Sequence, residues 1–189
     1  KDRVFADALL QSDVLLSDGT SIVLACHFLR AKSRPRHRCT GWDLFRFEME
    51  KLNGNSYSFL GELPGEGSKH NNNTQESQPF WLKRNPDRQK PKVMFVGSSE
   101  KILGMIRAKA AIEFPNLEVI TYSPPFKKEF SKEDNDAIIA RIHDVDPDLI
   151  WIGMTAPKQE KWAWSHWNEL DIHCHCGTIG AVFDFFAGT

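Results

Sequence analysis

No apolar run in this 189-residue chain approaches the roughly 20 residues that a membrane-spanning helix needs. Nor is there a segment built like a signal peptide. Net charge is almost missing too, at -1 with His neutral. That balance gives no global electrostatic reason to expect nucleic acid or an anionic membrane as a partner. The G-x-G-x-x-G fingerprint is absent: the first candidate turn reads Gly97-Ser98-Ser99-Glu100, which disfavours a nicotinamide enzyme. A Walker loop and a G-x-S-x-G nucleophile elbow are also lacking.

Cysteine is scarce, with four residues at Cys26, Cys39, Cys174 and Cys176. Cys174 and Cys176 alternate with His173 and His175, which raises the question of zinc. On a strand, alternate residues face opposite sides, so the two thiols share one face and the two imidazoles the other. A closed zinc site needs four convergent ligands, and no second Cys/His cluster supplies them. The segment reads as a reduced, buried strand of a cytosolic protein, and no metal site is expected. Asp144-Val145-Asp146 resembles the acid-x-acid metal pair of many nucleotide-sugar enzymes. It follows a helix and precedes a strand, however, which puts it on the wrong edge of the sheet.

What is present is ordinary globular composition, 41% hydrophobic and 26% charged, and enough length for one α/β domain with a sizeable core. The chain opens at Lys1 and ends at Thr189 straight after an apolar run. We expect a single catalytic domain over 1–189, cut from a longer protein at both ends. Residues 3–11 predict a helix with Val4, Phe5, Ala8 and Leu9 on one face. Asp13 to Leu16 predicts a short strand, and Ile22 to Leu29 a buried helix entered from the turn Ser17-Asp18-Gly19-Thr20-Ser21. A basic loop from Lys32 to Arg38, with Arg34 and Arg36, leads to a helix over Leu44–Leu52. Residues 61–91 lose all apolar periodicity and read as a polar, mobile insertion, anchored by Phe80-Trp81-Leu82.

Beyond it the pattern alternates. Strands are predicted at Val93–Val96, Leu117–Thr121, Leu149–Ile152 and Ile172–Cys176. Helices are predicted at 100–113 (Ile102, Met105, Ile106 and Ile112 inward), 131–143 and 157–169. This order predicts a Rossmann-like α/β fold, a mostly parallel sheet with helices on both faces. Ligands of such sheets bind beyond the carboxyl ends of the strands, where Gly97-Ser98-Ser99, Gly153-Met154-Thr155 and Gly177-Thr178 should gather. The turn after Ile152 enters a helix at Pro157, a residue suited to the first helical position. Its free backbone donors, beside Lys158 and Gln159, make a ready site for a nucleotide phosphate. Asp18 sits in a turn on the same edge, with Gly19 permitting close approach; taken alone it reads as a helix cap. The segment from Gly180 to Gly188 opens with small residues that allow a ligand near the backbone, and Asp184 within it reads equally as a cap.

These pieces together resemble the WecG/TagA/CpsF family of bacterial glycosyltransferases (glycosyltransferase family 26). The resemblance rests on Ser17-Asp18-Gly19-Thr20-Ser21-Ile22-Val23-Leu24-Ala25, Arg38-Cys39-Thr40-Gly41-Trp42-Asp43-Leu44 and Val93-Met94-Phe95-Val96-Gly97-Ser98-Ser99. Its most specific parts are Pro147-Asp148-Leu149-Ile150-Trp151-Ile152-Gly153, Pro157-Lys158-Gln159-Glu160-Lys161-Trp162 and Gly177-Thr178-Ile179-Gly180-Ala181-Val182-Phe183-Asp184-Phe185. They run in family order. The resemblance implies transfer of a hexose, N-acetylmannosamine or its uronic acid among them, from a UDP-sugar to a polyprenyl-diphosphate-linked sugar, with inversion and without an added cofactor. The products feed teichoic acid, common antigen or capsule-type polymers.

The resemblance also implies a preceding strand carrying polar site residues, and a basic C-terminal region that reaches the cytoplasmic face of the membrane. Neither is in this sequence; homo-oligomer formation stays open. Asp18 becomes the candidate base and Arg38 the partner of a diphosphate. Gly19, Gly41, Asp43, Gly97, Ser98, Gly153, Pro157, Lys158, Gln159, Glu160, Gly180 and Asp184 are the candidate nucleotide-sugar set, with Gln159 hydrogen-bonding the donor. A non-catalytic nucleotide-sugar-binding module is the alternative.

Overall fold

The computed structural model describes residues 2–16, 18–30, 38–54 and 89–189. The elements run α1 (Arg3–Leu10), α2 (Thr20–Phe28), α3 (Gly41–Asn53), β1 (Lys92–Val96), α4 (Glu100–Glu113), β2 (Glu118–Tyr122), α5 (Lys132–Val145), β3 (Leu149–Ile152), α6 (Lys158–Ser165), α7 (Trp167–Leu170), β4 (His175–Thr178) and α8 (Val182–Ala187). The four strands form one sheet in the order β2-β1-β3-β4, and every pairing is parallel. Strands buried on both faces read as continuous apolar runs, as Val93 to Val96 and Leu149 to Ile152 do.

The two-residue period of the strands divides the interior into two cores. Val93, Phe95, Leu149 and Trp151 face α3, α4 and α8, where Phe45, Phe183 and Phe186 fill the space. Met94, Val96, Ile150 and Ile152 face α5, α6 and α7, where Ile138, Ile142, Trp162 and Leu170 pack. Helices therefore cover both faces. Their starts are set locally: Thr40 and Ser131 build reciprocal capping boxes with Asp43 and Asp134, and Ser99 caps α4. Each cap satisfies first-turn donors that have no partner within the helix.

Several elements differ from the pattern read in the sequence. Residues 13–16 are not a strand; no ladder partner lies beside them among the described residues, and Val14 and Leu15 are more than half exposed. The helix after Gly19 forms, but none of its described side chains joins either core, and Leu24 and Phe28 are exposed. A continuous apolar run has no sidedness, so it predicts burial without saying against what. On α4 the inward stripe is Leu103, Ile106 and Ala110, whereas Ile112 is 82% exposed. Six residues beyond Ile106 is about 600° of helical rotation, which turns Ile112 away from the sheet.

The predicted helix over 157–169 is broken at His166 into α6 and α7. The predicted strand over 172–176 begins later, at His175, because β3 has only four residues to pair with, Leu149 to His175 through Ile152 to Thr178. The alternation around Cys174 survives: Ile172, Cys174 and Cys176 pack on the second core, while His175 faces α3. Burial pushes the Cys176 thiol up to about 12 and raises Cys174 further. Of the predicted insertion, 61–88 lie outside the described residues, as do Phe80-Trp81-Leu82 and the loop arginines Arg34 and Arg36.

Candidate functional site

A cleft of about 2470 Å³ opens along the carboxyl edge of the sheet. Asp18, Arg38, Gly41, Asp43, Gly97, Ser98, Gly153, Pro157, Lys158, Gln159, Glu160, Gly180 and Asp184 all contribute to its lining. Residues separated by up to 166 positions in sequence thus meet at one place, as parallel topology requires of strand-end turns. At the opposite edge lies a smaller depression of about 340 Å³ beside Gln89, Lys90, Lys92, Leu117 and Glu118. Asp144 and Asp146 stay out of the cleft; Asp144 is paired with Arg141, and Asp146 caps α5 in the left-handed region. Gly19 is not among the lining residues. It is the N-cap of α2, in ordinary extended backbone, and no side chain among the described residues caps that helix. Asp18 is therefore not the cap of α2, and its exposed carboxylate lies on the cleft wall.

The floor is made by turns that come very close to one another. Gly97 has φ +115, and a Cβ there would sit 2.5 Å from the Gly153 carbonyl oxygen. Only glycine accommodates both the dihedral and the approach. A Cβ on Gly153 would in turn meet the Phe183 ring at 2.5 Å. Ser98 follows in the left-handed region, and its carbonyl accepts from Ser123 Oγ at 2.8 Å, joining the ends of β1 and β2.

Gln159 is 4% exposed and braces the next two turns. Its Oε1 accepts from Met154 N at 3.1 Å and from Gly180 N at 3.2 Å, while Nε2 donates to Glu160 Oε1 at 2.7 Å. Its carbonyl oxygen thus holds two backbone donors and ties the Met154 and Gly180 turns together. Pro157 takes the N-cap position, and α6 starts one residue later at Lys158. The Lys158 N–H is spent on Thr155 O at 2.9 Å, so this first-turn donor is used inside the turn. Lys158 Nζ donates to the Lys127 carbonyl and lies 3.5 Å from the centroid of the Phe130 ring. Burial holds the Lys158 ammonium below its ordinary pKa, with Asp134 opposing the shift.

On the other wall, Asp43 Oδ2 accepts from Thr40 N at 2.8 Å and Thr40 Oγ1 at 2.7 Å. The Asp43 carboxylate is engaged in starting α3, and in doing so fixes the segment from Arg38 to Gly41. Arg38 is exposed at the cleft. Burial, then the carboxylates of Asp43 and Asp18, raise the Cys39 thiol, which places Asp18 within electrostatic reach of this wall. Gly41 packs on Val182 and Ile179, and Asp184 is exposed in the first turn of α8. The arrangement thus offers an exposed carboxylate, a guanidinium and a glycine-lined floor.

Sequence reasoning missed the loop Ser123-Pro124-Pro125-Phe126, which lines the cleft beyond β2; the strand-end rule applied to Tyr122 would have found it. It also missed Glu48, which no motif marks, and weighed His175 only as a zinc ligand.

Residues 79–189 match the glycosyl transferase WecG/TagA/CpsF family. The chain belongs to that family. Among its relatives is the N-acetylglucosaminyldiphosphoundecaprenol N-acetyl-beta-D-mannosaminyltransferase of Bacillus subtilis (strain 168), 22% identical over 188 residues, 100% of this chain and 57% of the relative. The protein of the same name from Staphylococcus aureus (strain NCTC 8325 / PS 47) is 23% identical over 186 residues, 98% of this chain and 57% of the relative. This WecG/TagA/CpsF chain therefore spans somewhat more than half the length of these curated relatives. No helix among its described residues is long and apolar enough to cross a membrane.

Proposed function

We propose that this chain carries the catalytic cleft of an inverting glycosyltransferase. The enzyme moves a hexose, N-acetylmannosamine, its uronic acid or a related sugar, from a UDP-sugar to a polyprenyl-diphosphate-linked sugar in the assembly of teichoic acid or another cell-surface polysaccharide. The observation that carries the reading is the convergence of Asp18, Arg38 and the glycine turns on one carboxyl-edge cleft. The names of the relatives, which act on a diphosphoundecaprenol-linked sugar, support the acceptor class.

In this mechanism the Asp18 carboxylate takes the proton of the acceptor hydroxyl as its oxygen attacks the anomeric carbon. The bond to the UDP oxygen breaks on the opposite face, and the leaving diphosphate takes the electron pair. Arg38 stabilises that developing charge, since a guanidinium binds phosphate oxygens in a bidentate manner. The nucleotide and sugar lie against the turns at Gly97, Gly153 and Gly180, whose glycines let the segments of the floor pack closely on one another. Gln159 keeps two of those turns in register. A lipid-borne acceptor calls for reaction at a membrane surface, and the reading assigns it to the cytoplasmic face.

The test is to incubate the protein with a panel of UDP-hexoses and a short-chain polyprenyl-diphosphate-linked sugar, reading products by mass. Addition of one hexose to the acceptor with release of UDP is expected. UDP-sugar binding without any transfer would leave only a nucleotide-sugar-binding module.

A further inference from the structure

Glu48 and His175 form a polar pair that the mechanism above does not use. Glu48, on α3, is 0% exposed, and its Oε2 accepts from His175 Nδ1 at 2.7 Å. Its other oxygen, Oε1, is buried without a hydrogen-bond partner among the described residues. The same is true of Trp151 Nε1, whose ring meets the His175 ring edge-on with centroids 5.7 Å apart. Buried polar atoms are almost always paired, and orphans mark a place where a ligand or water belongs. Here a carboxylate oxygen and an indole N–H lie around one imidazole. Glu48 and His175 both line the cleft, and the His175 side chain is 20% exposed.

With Nδ1 committed to the carboxylate, the ring's tautomer and orientation are fixed. Nε2 makes no hydrogen bond among the described residues and is the nitrogen left to meet a ligand. The position within the fold says which part of a ligand. His175 opens β4 three residues before Thr178, about 10 Å back from the strand end. Glu48 stands eight residues after the Thr40 cap, about 12 Å along α3. Both displacements lead away from the edge where Asp18 and Arg38 flank the reacting atoms, so the pair faces a ring remote from the bond being made.

We propose that His175, oriented by Glu48, is a substrate-recognition residue. Its Nε2 accepts a hydrogen bond from an O–H or N–H of the donor's nucleoside, the part of the donor farthest from the bond being made. The proposal rests on the glycosyltransferase reading of the cleft, and Glu48 acts in it as a positioning residue.

The experiment uses the double variant Glu48→Leu/His175→Phe, because replacing both members of a buried pair with apolar groups of similar volume tends to preserve folding. UDP affinity and transfer are measured first on the wild type; no UDP binding there defeats the reading of the cleft and this proposal together. With the wild type active, the double variant should melt close to it and raise KM about tenfold, as for one hydrogen bond. That rise should fall on the UDP-sugar donor, with kcat little changed. A rise confined to the acceptor overturns the assignment to the nucleoside. A folded double variant with both KM values unchanged overturns the proposal and leaves the pair a packing feature. Should the variant not fold, the assigned imidazole ¹⁵N signals of His175 in the wild type are followed during titration with UDP. A shift at saturation by UDP supports recognition, and signals unmoved by UDP overturn it.

Discussion

Replacing Gln159 with Leu removes an acceptor that two turns share. Met154 N and Gly180 N lose their partner, 3.1 and 3.2 Å away, and each unmade bond costs about 1 kcal/mol. Glu160 also loses the donor to its Oε1, while its Oε2 is already buried without a partner among the described residues; this adds roughly 1 kcal/mol more. The sum of about 3 kcal/mol corresponds to a fall in Tm of about 6–12 °C for a domain of this size. Thermal unfolding by circular dichroism gives the first readout. Calorimetric UDP affinity gives the second, and it should weaken as the turns at Gly153 and Gly180 lose register. A Gln159→Leu protein that melts with the wild type and binds UDP equally well would refute the bracing role.

Gln159→Glu separates the acceptor from the donor. It keeps an oxygen for both backbone donors but sets a second carboxylate against Glu160, which raises the pKa of one of the two in the folded state. A carboxyl with a raised folded pKa binds more protons when native than when unfolded, so stability falls as pH rises from the ordinary carboxyl range through the raised value. This variant should therefore approach wild-type stability in acid and lose it toward neutrality, and a pH-independent deficit would contradict the mechanism.

Asp18→Asn should abolish turnover while leaving UDP-sugar affinity largely intact, and wild-type-like turnover would remove Asp18 from the role of base. Arg38→Ala should weaken binding of a diphosphate-bearing substrate by about 10- to 100-fold, the range for hydrogen bonds to a charged group; unchanged kinetics for both substrates would exclude the assignment. Gly97→Ala forces a Cβ to 2.5 Å from the Gly153 oxygen at φ +115, so a stability loss of at least about 1–3 kcal/mol is expected in urea unfolding. An unchanged midpoint would show that the two turns are free to part.

The alternation from Val93 onward was legible because buried parallel strands and capped amphipathic helices each leave a periodic mark. The carboxyl-edge rule then gathered Gly97, Gly153 and Gly177 around one cleft. Less legible were features that depend on a neighbour. The apolar run at Val23–Phe28 showed no side, Asp13–Leu16 showed no partner strand, and the start of β4 was fixed by the length of β3. Gln159 illustrates the limit within the site. The sequence marks it as a residue that could bond a ligand, and only the fold adds that Met154 and Gly180 converge on its carbonyl. Glu48 and His175 were invisible for the same reason, since 127 positions separate them.

The central claim is that one cleft takes the nucleotide diphosphate with Arg38 on its oxygens and Asp18 facing the anomeric carbon. A crystal structure of the protein with UDP bound tests it most directly. The account predicts the diphosphate against the turns at Gly97, Gly153 and Gly180, within hydrogen-bond distance of the Arg38 guanidinium. UDP lodged elsewhere, or held here with Asp18 and Arg38 turned away from it, would contradict the account.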